Sequence, residues 1–436
     1  MPHNAPLEIA VVGCGTAGPA AALFLSRAGH RVTMFERVPE PGPVGAGIVL
    51  QPIGQAVLGR LGLLPQVAAR GARVERLLCE TERGRTIFDL SYATLEPRLT
   101  GYGLHRGVLF EALFDAVRHS PVTLRCGVSI DRIEDDGGTA HVIDEAGRRH
   151  GPYQLVVVAD GARSRLRPVV RTEARVRPYR WGALWFIGED PEGQFAGRLH
   201  QIVRGTERML GLLPTGLGPS ARGTKAKPLV TLFWSLRADR FDEVRMHLDA
   251  WKREVRAHAP MAGSVLDQIE SAEQITFSSY NDVTMRRWGA RSVVYLGDAA
   301  HAMSPQLGQG CNLALYDAMI LADCFQGPAP LERYTHARRR HLGFYQLATR
   351  ALTPFFQSDA RLLGWVRDRF MAALSRVPFV HREMVRSMTG LKLGWLTGTL
   401  PPVRMAEALE RDLRALPGPS PPPSREEGLD LEPTVP

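Results

Sequence analysis

Three glycines and one glutamate near the start of the chain have the types and spacing that bind a dinucleotide. Gly13, Gly15 and Gly18 form a GxGxxG pattern, and Glu36 follows eighteen residues after the last of them. The first glycine permits a tight turn, the second lets the backbone approach a pyrophosphate, and the third lets a helix pack closely on a strand. The Glu36 carboxylate can accept hydrogen bonds from a ribose.

The segments around these residues are the elements that must position them. Leu7–Val12 is the apolar, β-branched run of a buried parallel strand, Ala20–Leu25 has a helical composition, and Arg31–Phe35 is a second strand. The helix N-terminus offers free N–H groups and roughly half a positive charge to phosphates. Together these elements predict a dinucleotide site, with a glycine turn kept only for packing as the alternative.

Two later segments repeat the arrangement of an acid at the end of a buried strand. Asp160-Gly161 follows Leu155–Ala159, and Gly297-Asp298 follows Ser292–Leu296 and precedes a glycine-rich loop and a helix. Because such folds bind ligands at the carboxyl ends of their strands, the second segment predicts another platform for an anionic ligand. Taken alone, the first segment equally fits a turn followed by a helix that Ser164 caps.

In their order and rough spacing, the three motifs resemble those of the class A flavoprotein monooxygenases, the para-hydroxybenzoate and salicylate hydroxylase type. The resemblance covers about residues 7–325. It implies an α/β fold: a Rossmann-like FAD-binding domain, an inserted α+β substrate domain and a helical C-terminal region. It also implies these FAD-binding residues: Gly13, Gly15, Thr16, Ala17, Gly18, Glu36, Arg37, Gly45, Ala46, Gly47, Arg106, Asp160, Gly161, Arg163, Gly297, Asp298, Pro305, Gly308, Gly310, Cys311 and Asn312.

The same resemblance gives the loops their expected roles. Gly45–Gly47 would line the isoalloxazine, Pro305 would lie beside its reactive face, and N–H groups near Cys311 would meet its pyrimidine oxygen. A helix N-terminus at that position stabilises negative charge on the reduced ring. One departure concerns Pro52, which Ile53 follows where the family often has asparagine soon afterwards, so the substrate-side contacts of this loop stay open.

The remaining patterns predict the domain organisation. A discontinuous FAD-binding domain is expected over 1–73, 101–174 and 283–325, a substrate domain over 74–100 and 175–282, a helical C-terminal region over 326–416, and a disordered tail over 417–436. Val122–Cys126, Ile130–Glu134 and Ala140–Asp144 are predicted to form a small antiparallel set. Phe241–Ala257 is predicted as one helix, and prolines 354 and 378 as helix breaks.

The sequence has no metal-ligand cluster, P-loop, GxSxG or HExxH motif, so a bound flavin must carry the difficult chemistry. The resemblance implies that NADPH or NADH reduces FAD and that a flavin hydroperoxide transfers one atom of O2 to an aromatic (phenolic, quinolone or polycyclic) substrate. Candidate proton-transfer groups are His301, which is usually structural in this family, and His200. Candidate substrate contacts are His200, Trp185, Trp234, Tyr280 and Phe356.

Three alternative functions remain open from the sequence. One is an FAD-dependent alkene reductase of the geranylgeranyl type, which uses similar FAD motifs. Another is a flavin-dependent halogenase, although the WxWxIP signature of halogenases is missing. The third is a flavin-binding partner protein without catalytic activity.

Composition narrows the remaining classes of protein. The chain is 44% hydrophobic and carries a net charge of +9 from 50 arginines and four lysines against 45 acids, dispersed without a nucleic-acid-binding pattern. Five scattered cysteines favour a reducing compartment over a disulfide scaffold or zinc site. Glycines and a proline interrupt the uncharged run Ile9–Ser26, so no signal peptide or transmembrane anchor is expected. A cytoplasmic monomer or homodimer is predicted.

Overall fold

The fold is described from a computed structural model, which covers residues 5–169, 174–219, 227–395 and 398–400. The strands are β1 (Glu8–Val12), β2 (Arg31–Glu36), β3 (Gly47–Leu50), β4 (Ala72–Thr81), β5 (Thr86–Ser91), β6 (Gly101–His105), β7 (Thr123–Cys126), β8 (Ile130–Asp135), β9 (Ala140–Asp144), β10 (Arg149–Tyr153), β11 (Leu155–Val158), β12 (Ala174–Glu189), β13 (Gly197–Arg204), β14 (Arg208–Gly216), β15 (Leu229–Arg237), β16 (Thr276–Met285), β17 (Gly289–Ala290) and β18 (Val293–Tyr295). The helices are α1 (Ala17–Arg27), α2 (Pro52–Arg60), α3 (Leu64–Ala68), α4 (Arg106–Arg118), α5 (Phe241–Met246), α6 (Leu248–His258), α7 (Gly263–Leu266), α8 (Asp298–His301), α9 (Gly310–Cys324), α10 (Pro330–Phe356), α11 (Arg361–Val366), α12 (Ala372–Leu374) and α13 (Pro378–Thr389).

The first sheet has the strand order β17-β18-β11-β1-β2-β7 and is parallel except at its β17 edge. Its central strand pairs on both sides, with Val11 opposite Val157 and Met34. All three side chains are completely buried, as expected for a parallel sheet whose two faces are both covered. The predicted α/β, Rossmann-like fold is therefore confirmed.

The predicted antiparallel set was wrong in its first member. β7 pairs in parallel with β2, so it belongs to the first sheet, whereas β10, β9 and β8 form the antiparallel three-stranded sheet. The alternation of a four-residue strand shows which of its side chains are buried, but it carries no information about which edge the strand will join.

The second sheet has the order β16-β12-β15-β14-β13-β4-β6-β3, with β5 also paired to β4. Its β6–β3 end curls over the inner strands β14 and β15: a Cβ atom at Gly103 would lie 1.8 Å from the carbonyl oxygen of Pro214, and one at Gly47 would lie 2.3 Å from Thr231 Oγ1. We call the face that carries Thr231 the Gly47 face. The opposite face packs on α5, α6 and α7 and is called the α6 face.

The sheet also bears on the predicted domains. β3 and β6, from predicted FAD-binding segments, hydrogen-bond into the same sheet as the predicted substrate-domain strands. The domain boundaries stay a prediction, and the predicted tail lies outside the described residues.

Two helix predictions need correction. The helix predicted over Phe241–Ala257 is divided at His247 into α5 and α6. Pro354 does not break α10, which continues for two more residues to Phe356 although a proline cannot donate the backbone hydrogen bond of this position. Pro378 does mark a boundary, since it is the first residue of α13.

Candidate functional site

The GxGxxG turn has the geometry that its three glycines predict. Gly13 has a φ of +102°, and a Cβ atom there would lie 2.6 Å from the carbonyl oxygen of Ala159. A Cβ atom at Gly18 would lie 1.9 Å from the carbonyl oxygen of Gly13, so this glycine lets α1 pack against the turn. Gly15 faces open space, with nothing within 4 Å of an added Cβ atom. The turn therefore leaves open space for a ligand at Gly15, the glycine whose backbone is expected to approach the pyrophosphate.

Glu36 ends β2 beside this turn. Its Oε2 accepts a hydrogen bond from the Cys14 N–H at 2.8 Å, and its Oε1 accepts one from the Val38 N–H at 2.9 Å. Each carboxylate oxygen has two acceptor sites, so both can still bind a ribose hydroxyl. Glu36 therefore holds the turn in place and can also accept a hydrogen bond from a ligand.

The Asp160-Gly161 segment lies directly against the first glycine turn. A Cβ atom at Gly13 would lie 2.9 Å from the Cα atom of Asp160. Burial raises the pKa of the Asp160 carboxyl, while its hydrogen bond with Ser164 and the charges of Arg167 and Arg37 oppose that rise. Its Oδ1 is buried with no hydrogen-bond partner among the described residues. Such an orphaned acceptor is expected where a ligand supplies the missing donor.

Ser164 does not cap a regular α-helix as the alternative predicted. Its Oγ accepts a hydrogen bond from the Leu166 N–H at 3.3 Å, within a tight turn. Gly161 has a φ of +89° and open space around it, and Arg163 is exposed on the same turn.

Arg167 is a positioning residue that the sequence prediction missed. Its guanidinium donates to the carbonyl oxygens of Ala162 and Ala299, both at 2.8 Å, and so ties the second motif to the third. The side chain is 6% exposed, and burial lowers its pKa from the ordinary value. A short run of alternating arginines after an Asp-Gly turn was the available signal, but it does not show which arginine turns inward.

The third motif brings two helix N-termini together. Gly297 has a φ of +55°, and a Cβ atom there would lie 3.2 Å from Ala17 at the start of α1 and 3.1 Å from Ala314 in α9. The Asp298 side chain beside it is exposed, and its Oδ1 lies 3.9 Å from where a Cβ atom of Gly310 would be. Both helix ends and one carboxylate thus converge on one place.

Arg106 connects the loop that contains Gly45 to the same place. A Cβ atom at Gly45, whose φ is +111°, would lie 2.9 Å from the Arg106 side chain. Burial raises the pKa of the Cys311 thiol to about 12, opposed by the charge of Arg106 and a hydrogen bond with Thr16. Arg106 is therefore near both the Gly45 loop and the start of α9, as a pyrophosphate contact would require.

Asn312 is bound within the protein. Its Oδ1 accepts from the Gln51 N–H at 2.8 Å, and its Nδ2 donates to the carbonyl oxygens of Val49 and Gly308 at 2.9 and 3.1 Å. The side chain therefore positions the loop, and only backbone atoms at this position remain for a ligand. Pro305 and Gly308 belong to the same loop, in which Gly308 has a left-handed φ of +61°.

The two histidines predicted as proton-transfer groups are both placed elsewhere. His301 is 1% exposed, and its Nε2 lies 2.5 Å from Asp317 Oδ2 inside the protein. His200 is 5% exposed, pairs with Glu80 at 2.9 Å and points to the α6 face. Both imidazoles are therefore buried and paired with a carboxylate, and a role of either in proton transfer stays a prediction.

The predicted substrate contacts divide between the two faces of the second sheet. Trp185 packs on Phe233 with ring centroids 5.3 Å apart on the Gly47 face, where Phe356 also lies. Tyr280 adjoins Trp185. Trp234 instead belongs to the core on the α6 face, as His200 does, so the structure does not bring these two side chains together with Trp185 and Tyr280.

A cavity of about 320 Å³ opens on the α6 face, away from all the motifs. Tryptophans 181, 234 and 251 line it, and the arginines 208, 237 and 240 in its wall are each paired with a carboxylate. Its position on the wrong face excludes it as the site that the motifs build.

The converging residues fit FAD. The open Gly15 backbone, the two helix N-termini and Arg106 together provide N–H donors and positive charge for a pyrophosphate, and Glu36 and the orphaned Asp160 oxygen provide acceptors for hydroxyl groups of the ligand. Within the described ranges, no group of three or more His, Cys, Asp or Glu side chains is arranged to hold a metal ion.

Comparisons with known proteins agree with this geometry. A protein-family profile described as "FAD binding domain" matches residues 6–342. Aurachin C monooxygenase/isomerase of Stigmatella aurantiaca is 27% identical over 381 residues, covering 85% of this chain and 94% of that protein. The 6-methylpretetramide 4-monooxygenase of Streptomyces rimosus is 27% identical over 399 residues, with coverages of 88% and 92%.

Solved structures share the fold. Klebsiella pneumoniae HpxO complexed with FAD and uric acid superposes with a TM-score of 0.74 at 21% identity, covering 88% of this chain and 97% of that chain. Pseudomonas aeruginosa PqsL in complex with 2-aminobenzoylacetate gives a TM-score of 0.70 at 22% identity, with coverages of 83% and 99%. The chain belongs to the FAD binding domain family and is an FAD-dependent monooxygenase.

Proposed function

We propose that the protein inserts one atom of O2 into a neutral aromatic substrate, phenolic, quinolone or polycyclic, with NADPH or NADH as the reductant. The reducing compartment that its cysteines favour makes the cytoplasm the proposed location. Bound FAD supplies the dioxygen chemistry. The protein's own part is to hold the cofactor with the residues named above, to orient the substrate and to exclude water from the reacting ring.

The observation that carries this proposal is a pair of donors on the Gly47 face. Trp185 Nε1 and the Tyr280 hydroxyl are buried, and neither has a well-formed hydrogen bond among the described residues. Burial raises the pKa of Tyr280 well above its ordinary value, so the hydroxyl stays neutral and can donate. A carbonyl or hydroxyl oxygen of an aromatic substrate would satisfy this pair.

Contacts of the Pro305 loop connect these donors to the flavin motifs. Gln306 Nε2 donates to Gln357 Oε1 at 3.0 Å, and Gln357 Nε2 donates to the carbonyl oxygen of Gly182 at 3.1 Å. Gly182 is three residues before Trp185 on β12 and pairs with Ser279, the neighbour of Tyr280. A substrate bound to the two donors would therefore lie near the loop expected beside the flavin ring.

Charge distinguishes the substrate classes. The cationic side chain of Arg350 lies beside β16, where it donates to both carboxylate oxygens of Asp282 at 2.7 and 3.0 Å. A substrate carboxylate would have to compete with that pair, whereas a neutral ketone or phenol would not. The names of relatives fit either class, since the curated matches include a quinolone synthase of Rhodococcus erythropolis and a hydroxybenzoate monooxygenase of Streptomyces platensis.

The test is substrate-stimulated oxidation of NADPH and of NADH by the purified flavoprotein. Phenols, quinolones and polycyclic aromatics are each compared with a carboxylated analogue, while an oxygen electrode and mass spectrometry follow O2 uptake and a gain of one oxygen atom. We expect the neutral compounds to give both signals. Stimulation by the carboxylated members alone, or reductant oxidation without oxygen in the product, would contradict the proposal.

A Tyr280→Phe variant tests the donor pair. Losing one buried hydrogen bond to the substrate should raise KM by about two- to tenfold, with a smaller change in kcat. Tyr153→Phe is the matched control, because it removes a hydroxyl from β10, in the antiparallel sheet away from the Gly47 face. Equal KM values for the wild type and the Tyr280→Phe variant would remove Tyr280 from the site.

A further inference from the structure

A run of large apolar side chains is exposed along α11, the π-helical segment Arg367–Met371 that continues it, α12 and the turn that follows. This exposed stripe consists of Leu362, Trp365, Phe370, Leu374 and Val377, which are 72%, 59%, 54%, 53% and 45% exposed. Their spacing of three to five residues places them along one side of a nearly continuous helix, and the rings of Trp365 and Phe370 are in contact, with centroids 6.2 Å apart. Phe379, at the start of α13, is 58% exposed nearby in sequence.

The other side of the same helix is firmly packed. The backbone of Gly364 lies against Gly205, where a Cβ atom would be 2.9 Å away. Arg367 is 1% exposed and donates to the carbonyl oxygens of Gly205 and Phe355 at 2.8 and 2.9 Å, and Ser375 Oγ donates to the carbonyl oxygen of Ile87. A helix that is apolar on its outer side as well as bound on its inner side is ordinarily covered by a partner.

The unpaired charges next to the stripe in sequence are all positive. Arg369, Arg376 and Arg382 are exposed and have no ion-pair partner among the described residues. The nearest acids are already used, because Asp368 pairs with Arg367 and Glu383 pairs with Arg386 and Lys392. The surface therefore combines exposed tryptophan, phenylalanine and leucine with uncompensated arginine.

We propose that the exposed stripe docks on an anionic lipid surface. Aromatic and aliphatic side chains lie in the boundary between headgroups and acyl chains, and neighbouring arginines bind the anionic headgroups. A second copy of the chain is a poorer partner, because a two-fold contact would bring the arginines of both copies together. No helix in the described part of the chain is long and apolar enough to cross a membrane, so the contact is a peripheral one.

The experiment is co-sedimentation of the full-length, FAD-loaded protein with vesicles. Vesicles of phosphatidylcholine containing phosphatidylglycerol are compared with vesicles of phosphatidylcholine alone, at low and high salt. We expect binding to the anionic vesicles, weakened by salt, and little binding to the neutral ones. Each arginine should contribute about fivefold in affinity, so the Arg369→Gln/Arg376→Gln double variant should bind about 25-fold more weakly. The Trp365→Ser/Phe370→Ser double variant should lose at least that much.

Matched control variants distinguish binding through the exposed stripe from non-specific binding to vesicles. Met246→Ser and Arg253→Gln change an exposed apolar and an exposed basic side chain on α5 and α6, and both should bind vesicles like the wild type. FAD content and reductant oxidation should be unchanged in every variant, because the stripe lies outside the flavin motifs. Vesicle binding is therefore measured independently of the enzyme's activity.

Three outcomes would overturn the inference. One is equal binding to neutral and anionic vesicles, and another is equal loss in the stripe and control variants. The third is no vesicle binding at all. That result would mean that the stripe is already covered, either by a second copy, which light scattering would show as a doubled mass lost in Trp365→Ser/Phe370→Ser, or by residues 401–436 in a protein that stays monomeric.

Discussion

Gly15 and Gly18 are three residues apart, yet the structure gives them different reasons to be glycine. Alanine at Gly18 would place its Cβ atom 1.9 Å from the Gly13 carbonyl oxygen, so the turn or α1 must move. We expect Gly18→Ala to lower the free energy of unfolding of the FAD-free protein by about 3 kcal/mol or more. Gly15→Ala meets no atom within 4 Å and should leave that free energy unchanged.

The same pair separates stability from binding. If a pyrophosphate approaches Gly15, its alanine variant should bind FAD at least tenfold more weakly, as measured by quenching of flavin fluorescence. Urea denaturation of the FAD-free variants measures their free energies of unfolding. A Gly15→Ala protein with wild-type FAD affinity would show that no ligand comes close to this residue.

His341 makes the stability of the buried charge cluster depend on pH. Burial lowers the pKa of its ring to about 3, with the charge of Arg338 acting in the same direction. Arg338 donates to His341 Nδ1, and His341 Nε2 donates to the carbonyl oxygen of Gly390 at 2.8 Å, so the ring is neutral in the folded state. Between pH 6.5 and about 3 the unfolded chain binds one more proton at this residue than the folded chain does.

The free energy of unfolding should therefore fall as pH drops through that window, by up to about 1.4 kcal/mol per pH unit from His341. His341→Gln should show a shallower dependence in urea denaturation between pH 6.5 and 4.5. The exposed His119→Gln variant is the control and should keep the wild-type slope. Identical slopes for all three proteins would mean that His341 is not held neutral.

The role of a residue was predictable from the sequence where local backbone geometry decides that role. It was not predictable where a partner that is distant in sequence decides it. The glycines of the turn follow from spacing alone, because a tight turn and a close helix need them wherever the chain goes. His301 looked available for proton transfer because its partner, Asp317, lies on α9 and only tertiary packing joins the two. Arg167 was missed for the same reason, since its acceptors include Ala299.

At the scale of elements, Asn312 connects α9 to β3 and α2. Asn312→Ala would remove three hydrogen bonds and leave the buried Gln51 N–H without its acceptor. We expect a loss of about 2–4 kcal/mol in the free energy of unfolding of the FAD-free protein. Asp298→Asn, in the exposed part of the same region, should change that free energy little and weaken FAD binding instead. Reversed effects in the two variants would contradict the assignment of one to the scaffold and the other to the ligand.

The existence of most elements was predictable, but their partners and faces were not. β7 has the alternation of a strand in either sheet, and the free edge of β2 decides where it pairs. On β12 the pairing register with β16 shifts between Pro178 and Gly182, so simple alternation cannot assign Trp181 and Trp185 to faces. Trp234 and Tyr280 were equally plausible substrate contacts until the sheet assigned them to opposite environments.

At the scale of the whole molecule, the flavin motifs come from segments far apart in sequence, and both paired strands and side chains hold them together. Arg167 ties the second motif to the third, Gly47 packs on Thr231, and Gln357 links the Pro305 loop to β12. Each contact joins segments that are distant in sequence. A ligand that touches all the motifs should therefore stabilise the molecule as a whole.

That expectation gives a prediction about cofactor removal. FAD held at a hundred times its dissociation constant should add about 2.7 kcal/mol to the free energy of unfolding, because it binds the folded state and not the unfolded chain. Differential scanning calorimetry of the holoprotein and of the deflavinated protein should show a Tm lower by a few degrees without FAD, restored when FAD is added back. Arg167→Gln should lower the Tm of both forms, since Arg167 ties the second motif to the third with or without FAD. Asp298→Asn should lower the Tm of the holoprotein alone. If the wild-type protein melts at the same temperature without FAD as it does with saturating FAD, the motifs do not share one ligand, however closely their backbones converge.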